Sequence, residues 1–176
     1  MRKNDFFEVK NIARLAIVAA LYAVLTVAIA PLSYMGLQFR VSEVLVLLCF
    51  YRRDYSISMI LGCFIANLFS PFGIYDIIFG TLATAVAVIP MYYMKNIWLA
   101  ALLPIVSNGF IVGFELWLCG EPFWFSAGTV ALGELAVIGI LGTLLFKLVF
   151  ERSSHLMKLI GSTRKANSDP VLSDVK

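Results

Sequence analysis

Long apolar runs, broken by short polar turns, fill the chain from about residue 12 to residue 150. The turns contain Gly, Pro, Asn or charged residues, which commonly end helices and begin loops. A bilayer core about 30 Å thick requires roughly 20 apolar residues per helix, and the second run is short for a crossing. We predict six membrane spans: residues 12–31, 40–51, 55–69, 76–94, 97–118 and 123–150.

Composition supports this interpretation. Hydrophobic residues make up 61% of the 176 residues and charged residues only 14%, whereas a soluble domain is about half apolar and about a quarter charged. The sequence therefore predicts an all-α, polytopic membrane protein with a six-helix bundle. Residues 1–11 form the N-terminus, residues 12–150 the transmembrane domain, and residues 151–176 a polar tail.

Basic residues fall on one side of the predicted topology. Six spans place both termini on the same side, and thirteen of the 14 Lys and Arg residues lie there, either near the termini or in the second and fourth turns. The positive-inside rule assigns this side to the cytoplasm. We expect a multi-pass protein of the cell membrane with both termini cytoplasmic, and the net charge of +3 needs no nucleic-acid partner. Arg40 is the only basic residue expected outside.

Polar residues in the spans concentrate in the outer half of this topology. Ionisable residues inside a membrane are costly and usually mark a pathway or a site. We predict that they converge on one outward-opening, ligand-binding cavity formed by Arg40, Glu43, Asn67, Asp76, Asn108, Glu115 and Glu134.

Each of these residues also has a structural explanation. Arg40 and Glu43 are three residues apart and could form an ion pair at a helix start, and Asp76 could be a helix cap. The two Asn residues could join helices by hydrogen bonds. Glu115 and Glu134 are harder to explain in this way, because no basic residue on the last four spans lies at their depth.

The chemistry of the set favours a small, flat, polar ligand. A guanine-like edge offers two parallel N–H donors to one carboxylate, and several carboxylates suit a cationic amine. No metal site and no cofactor are expected, since the only histidine, His155, lies in the tail and the three cysteines are widely spaced. The chain also has no GxxxxGK[ST] motif, so any ATP hydrolysis would belong to partner subunits.

Short motifs surround the candidate residues. They are Ala28 with Pro31-Leu32, Gln-Phe-Arg-Val-Ser-Glu at 38–43, Gly62, Ala66-Asn67-Leu68 with Ser70-Pro71, Gly73 and Asp76, Gly-Thr-Leu-Ala-Thr at 80–84, Asn108-Gly109 with Gly113 and Glu115, and Gly133-Glu134. In these motifs the chain resembles the QueT family, which are substrate-binding (S) components of energy-coupling-factor (ECF) transporters. The resemblance covers roughly residues 12–150.

The resemblance implies a six-helix S component that binds its solute on the outer side. Its partners would be the lipid bilayer, a coupling transmembrane subunit and two cytoplasmic ATPase subunits. The implied substrate is a queuosine precursor, a 7-deazaguanine such as the 7-aminomethyl or 7-cyano compound. An alanine-rich face of the first helix makes the docking contact in ECF S components, and Ala16, Ala19, Ala20 and Ala23 match it. The loop before the second span, with Gln38 and Phe39, would gate the site.

Other functions remain open at this point. The buried glutamates could relay protons in a stand-alone carrier, although no inverted repeat is evident. The protein could also be an S component for another vitamin-like heterocycle. A membrane enzyme would need a nucleophile or metal set, and the spans contain no His and no Cys cluster.

Overall fold

The computed structural model describes residues 8–29 and 40–163, and these residues form seven helices without any strand. This confirms the all-α prediction for the described part of the chain. The helices are α1 (Val9–Ala28), α2 (Val41–Tyr51), α3 (Tyr55–Asn67), α4 (Asp76–Met91), α5 (Ile97–Leu118), α6 (Phe123–Phe150) and α7 (Ser154–Leu159).

Three of these helices, α1, α5 and α6, are long and apolar enough to cross a bilayer. The other three predicted spans correspond to α2, α3 and α4, which are apolar but only 10–17 residues long. Six complete crossings therefore remain a prediction. Residues Val41–Leu47 of α2 form a 3-10 helix, which rises about 2.0 Å per residue. This winding makes α2 longer than an α-helix of the same residue count.

The outer surface of the bundle is apolar. Large hydrophobic side chains such as Ile17, Val24, Trp124 and Phe125 are between 63% and 78% exposed. A water-soluble protein rarely exposes so many large apolar side chains together. This surface fits a helix bundle surrounded by lipid.

Small residues let neighbouring helices pack closely. A Cβ atom on Gly62 of α3 would lie only 2.8 Å from the backbone oxygen of Ala19 on α1. A Cβ atom on Gly113 of α5 would lie 2.9 Å from Cα of Ala127 on α6. Both helix pairs therefore approach to a distance at which only glycine fits, as is common between membrane helices.

One end of the bundle joins the start of α1, the turn between α2 and α3, and the residues after α7. Arg52 donates to Asn11 Oδ1 at 2.9 Å, and the Tyr55 hydroxyl donates to the backbone oxygen of Ile160 at 2.8 Å. The Thr163 hydroxyl donates to the Tyr51 carbonyl at 2.9 Å. The first part of the predicted polar tail thus packs against the bundle, and we call this end the basic end.

Replacing Gly62 by Ala should destabilise the protein by about 1–3 kcal/mol, because the new methyl group forces α1 and α3 apart. Gly128→Ala on α6 is the matched control, since nothing lies within 4 Å of a Cβ atom there. Thermal unfolding in detergent should give a lower midpoint for Gly62→Ala than for Gly128→Ala. Equal midpoints would contradict the close α1–α3 contact.

Candidate functional site

The end of the bundle opposite the basic end is organised around a buried ion pair. Arg40 immediately precedes α2, and its Nη2 lies 3.3 Å from Oδ1 of Asp76, the first residue of α4. The two residues are 5% and 0% exposed. A buried charge is costly unless it is paired, so this pair fixes the start of α2 against the start of α4.

Asp76 is also held by the segment that precedes it. The Ser70 hydroxyl donates to its carboxylate, and the Asn67 amide donates to its backbone oxygen at 2.8 Å. Gly80 allows this contact, because a Cβ atom there would lie 2.8 Å from the Asn67 amide nitrogen. Residues Asp76–Gly80 form a π-helical segment, a rare conformation that is frequent at functional sites.

Glu43 connects α2 to α1. Its carboxylate accepts a hydrogen bond from the Tyr22 hydroxyl, and both side chains are fully buried. One turn further along α1, the hydroxyls of Thr26 and Ser42 are 2.6 Å apart. These polar contacts on the inner face of α1 fix which face of the 3-10 segment is turned towards α1.

Glu134 connects α6 to α5. The Asn108 amide donates to its Oε1 at 2.6 Å, whereas its Oε2 is buried without a hydrogen-bond partner among the described residues. Glu134 lies directly before a second π-helical segment, Leu135–Gly142. The carboxylate therefore keeps one oxygen available for a further donor.

Glu115 is the least satisfied residue of the set. It is 0% exposed, and no N–H or O–H donor of the described residues reaches either carboxyl oxygen. Its carboxyl group lies within hydrogen-bonding range of the Asp76 carboxyl group. Asp76 and Arg40 are its charged neighbours. The amide oxygen of Asn67 is likewise buried without a partner among residues 8–29 and 40–163. Buried polar atoms of folded proteins nearly always have partners, so these oxygens are places where a water or a ligand could donate a hydrogen bond.

Arg40 lies within electrostatic range of all four carboxylates, namely Glu43, Asp76, Glu115 and Glu134. We call these five residues the acidic cluster. One guanidinium can balance only one ionised carboxylate, and burial makes the ionised form of the others costly. A ligand that brings N–H donors and positive charge would satisfy the open oxygens and reduce their mutual repulsion.

Comparison with known proteins identifies the family of the chain. The family described as QueT transporter matches residues 12–151. The chain belongs to the QueT transporter family. A relative from Lactococcus lactis subsp. cremoris (strain MG1363), the queuosine precursor transporter QueT, is 33% identical over 157 residues, which cover 80% of this chain and 90% of the relative. No solved structure matches the chain.

Membership of the QueT family confirms the resemblance drawn from the motifs. The family consists of transporters, which places this apolar helix bundle among membrane transport proteins. The predicted cavity residues are all buried, and their role in ligand binding remains a prediction. They are Arg40, Glu43, Asn67, Asp76, Asn108, Glu115 and Glu134. The predicted gate residues, Gln38 and Phe39, lie outside the described residues.

The predicted docking face of α1 is divided in the structure. Ala19 and Ala23 are 6% and 7% exposed, and Ala19 contacts α3 at Gly62. Ala16 and Ala20 lie on the exposed side of α1. Docking of a partner on α1 remains a prediction, and in this conformation the exposed alanines are the part of the face that a partner can reach.

Sequence reasoning missed Tyr22 and its contact with Glu43. A signal was present, because Tyr22 and Thr26 are the only hydroxyl-bearing residues in α1 and are four positions apart. They therefore share one helix face. Arg40 was considered as a partner for Glu43 within α2, whereas the structure gives it a salt bridge to Asp76, 36 residues later.

Replacing Arg40 by Met should destabilise the protein by about 3–5 kcal/mol, because it leaves the acidic cluster without its buried cation. Lys95→Met, an exposed site in the turn after α4, should change stability by less than about 0.5 kcal/mol. Thermal unfolding in detergent measures both. Adding Asp76→Asn to Arg40→Met should recover part of the loss. If Arg40→Met were as stable as Lys95→Met, the ion pair would not hold the helices together.

Proposed function

We propose that the chain is the substrate-binding subunit of an ECF-type importer and that it takes up a queuosine precursor of the 7-deazaguanine class. The name of the Lactococcus relative supports a queuosine precursor as the cargo. The acidic cluster supplies the chemical reason why such a molecule would bind, and the following steps develop that reason.

The buried carboxylate of Glu115 carries the proposal. No donor of the described residues reaches either of its oxygens, and its carboxyl group lies against that of Asp76 and near Arg40. The guanine-type edge of a 7-deazaguanine presents two parallel N–H donors, which match one carboxylate in a two-point contact. We assign Glu115 to this edge because both of its oxygens are open, whereas Glu134 has only one open oxygen.

The charge of the cluster favours a cationic precursor. Arg40 is the one basic residue among the buried side chains of the described chain, and it faces four buried carboxylates. An aminomethyl group carries a positive charge at neutral pH, whereas a cyano group does not. We therefore expect 7-aminomethyl-7-deazaguanine to bind more tightly than the 7-cyano compound, with Glu134 Oε2 as the open acceptor for its amine.

The distribution of charge supports an outward-facing site. Helix α3 runs from Tyr55 at the basic end to Asn67 in the site. If the basic end is cytoplasmic, as the positive-inside rule favours, the site opens to the outside and both termini lie inside. Because the chain has no P-loop motif, two ATPase subunits and a coupling subunit would supply the energy. The exposed Ala16 and Ala20 would contribute to the docking surface.

Binding of 7-aminomethyl-7-deazaguanine to purified protein tests the ligand assignment. Glu115→Gln removes the charge and one acceptor, so it should weaken binding by roughly tenfold or more. Glu134→Gln should weaken binding of the aminomethyl compound more than binding of the cyano compound. Isothermal titration measures both affinities. The matched control is Glu121→Gln, a change at an exposed glutamate in the turn after α5, and it should bind like wild type.

Two results would overturn the assignment. One is the absence of binding by any 7-deazaguanine to folded wild-type protein. The other is an equal affinity of Glu115→Gln, Glu134→Gln and wild type, which would place the ligand away from the acidic cluster.

A stand-alone proton-coupled carrier is the second candidate. The open oxygens of Glu115 and Glu134 favour it, because buried carboxylates can take up and release protons. Uptake of labelled precursor in cells with and without the ECF coupling and ATPase subunits distinguishes the two. We expect uptake to disappear without these subunits. Uptake that persists and follows the pH gradient would instead identify a proton-coupled carrier.

A further inference from the structure

A second polar cavity lies at the basic end, far along the helices from the acidic cluster. Its volume is about 570 Å³, which is in the range of small-molecule sites. The first two turns of α1, the α2–α3 turn, Tyr92 after α4 and Thr163 after α7 surround it. Four elements that are distant in sequence therefore build this cavity together.

Positive charge dominates the lining. Lys10, Arg14, Arg52 and Arg53 contribute four cations, and Glu8 is the one acidic residue among the described residues that line the cavity. Arg52 is paired with Asp54, so the remaining cations exceed Glu8 by two positive charges, and this excess attracts anions. No step of the proposed import of a 7-deazaguanine uses these residues.

The arginines differ in how far the protein itself satisfies them. Arg52 has a salt bridge to Asp54 at 2.8 Å, and it also donates to Asn11 and to the Gly161 carbonyl. It is therefore part of the framework of the cavity. Arg53 lies with its guanidinium carbon 6.0 Å from the centre of the Tyr93 ring.

Arg14 remains open. Its guanidinium interacts with the Tyr55 side chain, whereas its Nη1 is buried and has no hydrogen-bond acceptor in the described part of the chain. Gly161 lies directly against it, because a Cβ atom there would be 2.1 Å from this nitrogen, and its φ of +61° also favours glycine. The chain after α7 thus covers this unsatisfied nitrogen of a residue that lines the positively charged cavity.

We propose that this cavity binds a phosphate group, with Arg14 and Lys10 as the donors that contact it. A guanidinium matches phosphate oxygens in a two-point contact, and a lysine ammonium adds a point charge. Basic pockets between membrane helices bind phospholipid headgroups in this way. Neighbouring tyrosines are consistent with a location at the membrane surface, because Tyr93 is 63% exposed. The phosphate could come from an anionic lipid headgroup or from a soluble phosphate ester.

Native mass spectrometry of the full-length protein in detergent tests the proposal with phosphatidylglycerol and phosphatidylcholine as probes. Wild-type protein should retain one phosphatidylglycerol with at least about a tenfold preference over phosphatidylcholine. Arg14→Gln and Lys10→Gln should each reduce that preference severalfold. Lys10 is exposed, so Lys10→Gln should fold normally. It keeps the test valid if Arg14→Gln fails to fold. Lys95→Gln removes an equal charge outside the cavity and should leave the preference unchanged.

Glycerol 3-phosphate and inorganic phosphate distinguish the two sources. Soluble phosphates occupy the site if either soluble probe displaces the lipid or binds alone at millimolar concentration. In that case Arg14→Gln should also weaken binding of the soluble probe. If only the lipid binds, the site takes a headgroup. The proposal fails if wild type shows no preference and binds no soluble probe. It also fails if Lys95→Gln reduces the lipid preference as much as Arg14→Gln does, since the preference would then depend on the overall surface charge and not on the cavity.

Discussion

A single buried cation determines how the polar end of this bundle is built. Arg40 is 5% exposed, it contacts Asp76 of α4, and it lies within electrostatic range of carboxylates from α2, α5 and α6. Leaving a buried charge without a partner costs several kcal/mol. Moving the helices that contribute carboxylates away from Arg40 would carry this cost, so their arrangement is restrained. The same constraint leaves the cluster short of positive charge, which connects the architecture of the bundle to the ligand that we propose.

Irregular helix geometry accompanies the polar residues. A 3-10 segment follows Arg40, a π-helical segment begins at Asp76, and another begins directly after Glu134. In such segments the regular i to i−4 hydrogen bonds are replaced, so side chains can be turned away from the face that a regular helix would give them. The Asn67 amide, which donates to the Asp76 carbonyl, shows how side chains stabilise the irregular backbone.

The two ends of the bundle have opposite electrostatic character. Buried acids with open oxygens lie at one end, and a cavity lined by Arg14 and other cations lies at the other. Helices α3 and α4 connect the ends. Helix α3 runs from Tyr55 at the basic end to Asn67, which donates to Asp76, and α4 runs from Asp76 towards Tyr92, which lines the basic cavity. In this transport protein of the QueT family, the proposed site for a cationic solute and the basic cavity therefore lie at opposite ends of the bundle.

Apolar periodicity was sufficient to predict where helices α1 to α6 lie, and it did not predict α7. The predicted starts of the last two spans, at residues 97 and 123, coincide with those of α5 and α6. Pairings between distant residues could not be predicted in this way. The contacts of Tyr22 with Glu43 and of Arg40 with Asp76 depend on how helices rotate about their axes. The close contact at Gly62 and the helix α7 depend on packing that a single sequence does not encode locally.

A structure of the protein with 7-aminomethyl-7-deazaguanine bound tests the central claim most directly, since that claim concerns where the open carboxylate oxygens find their donors. The account predicts that the ring edge donates two hydrogen bonds to Glu115, that the amine lies near Glu134, and that Arg40 remains paired with Asp76. A ligand bound elsewhere, with Glu115 and Glu134 still buried and without donors, would contradict it.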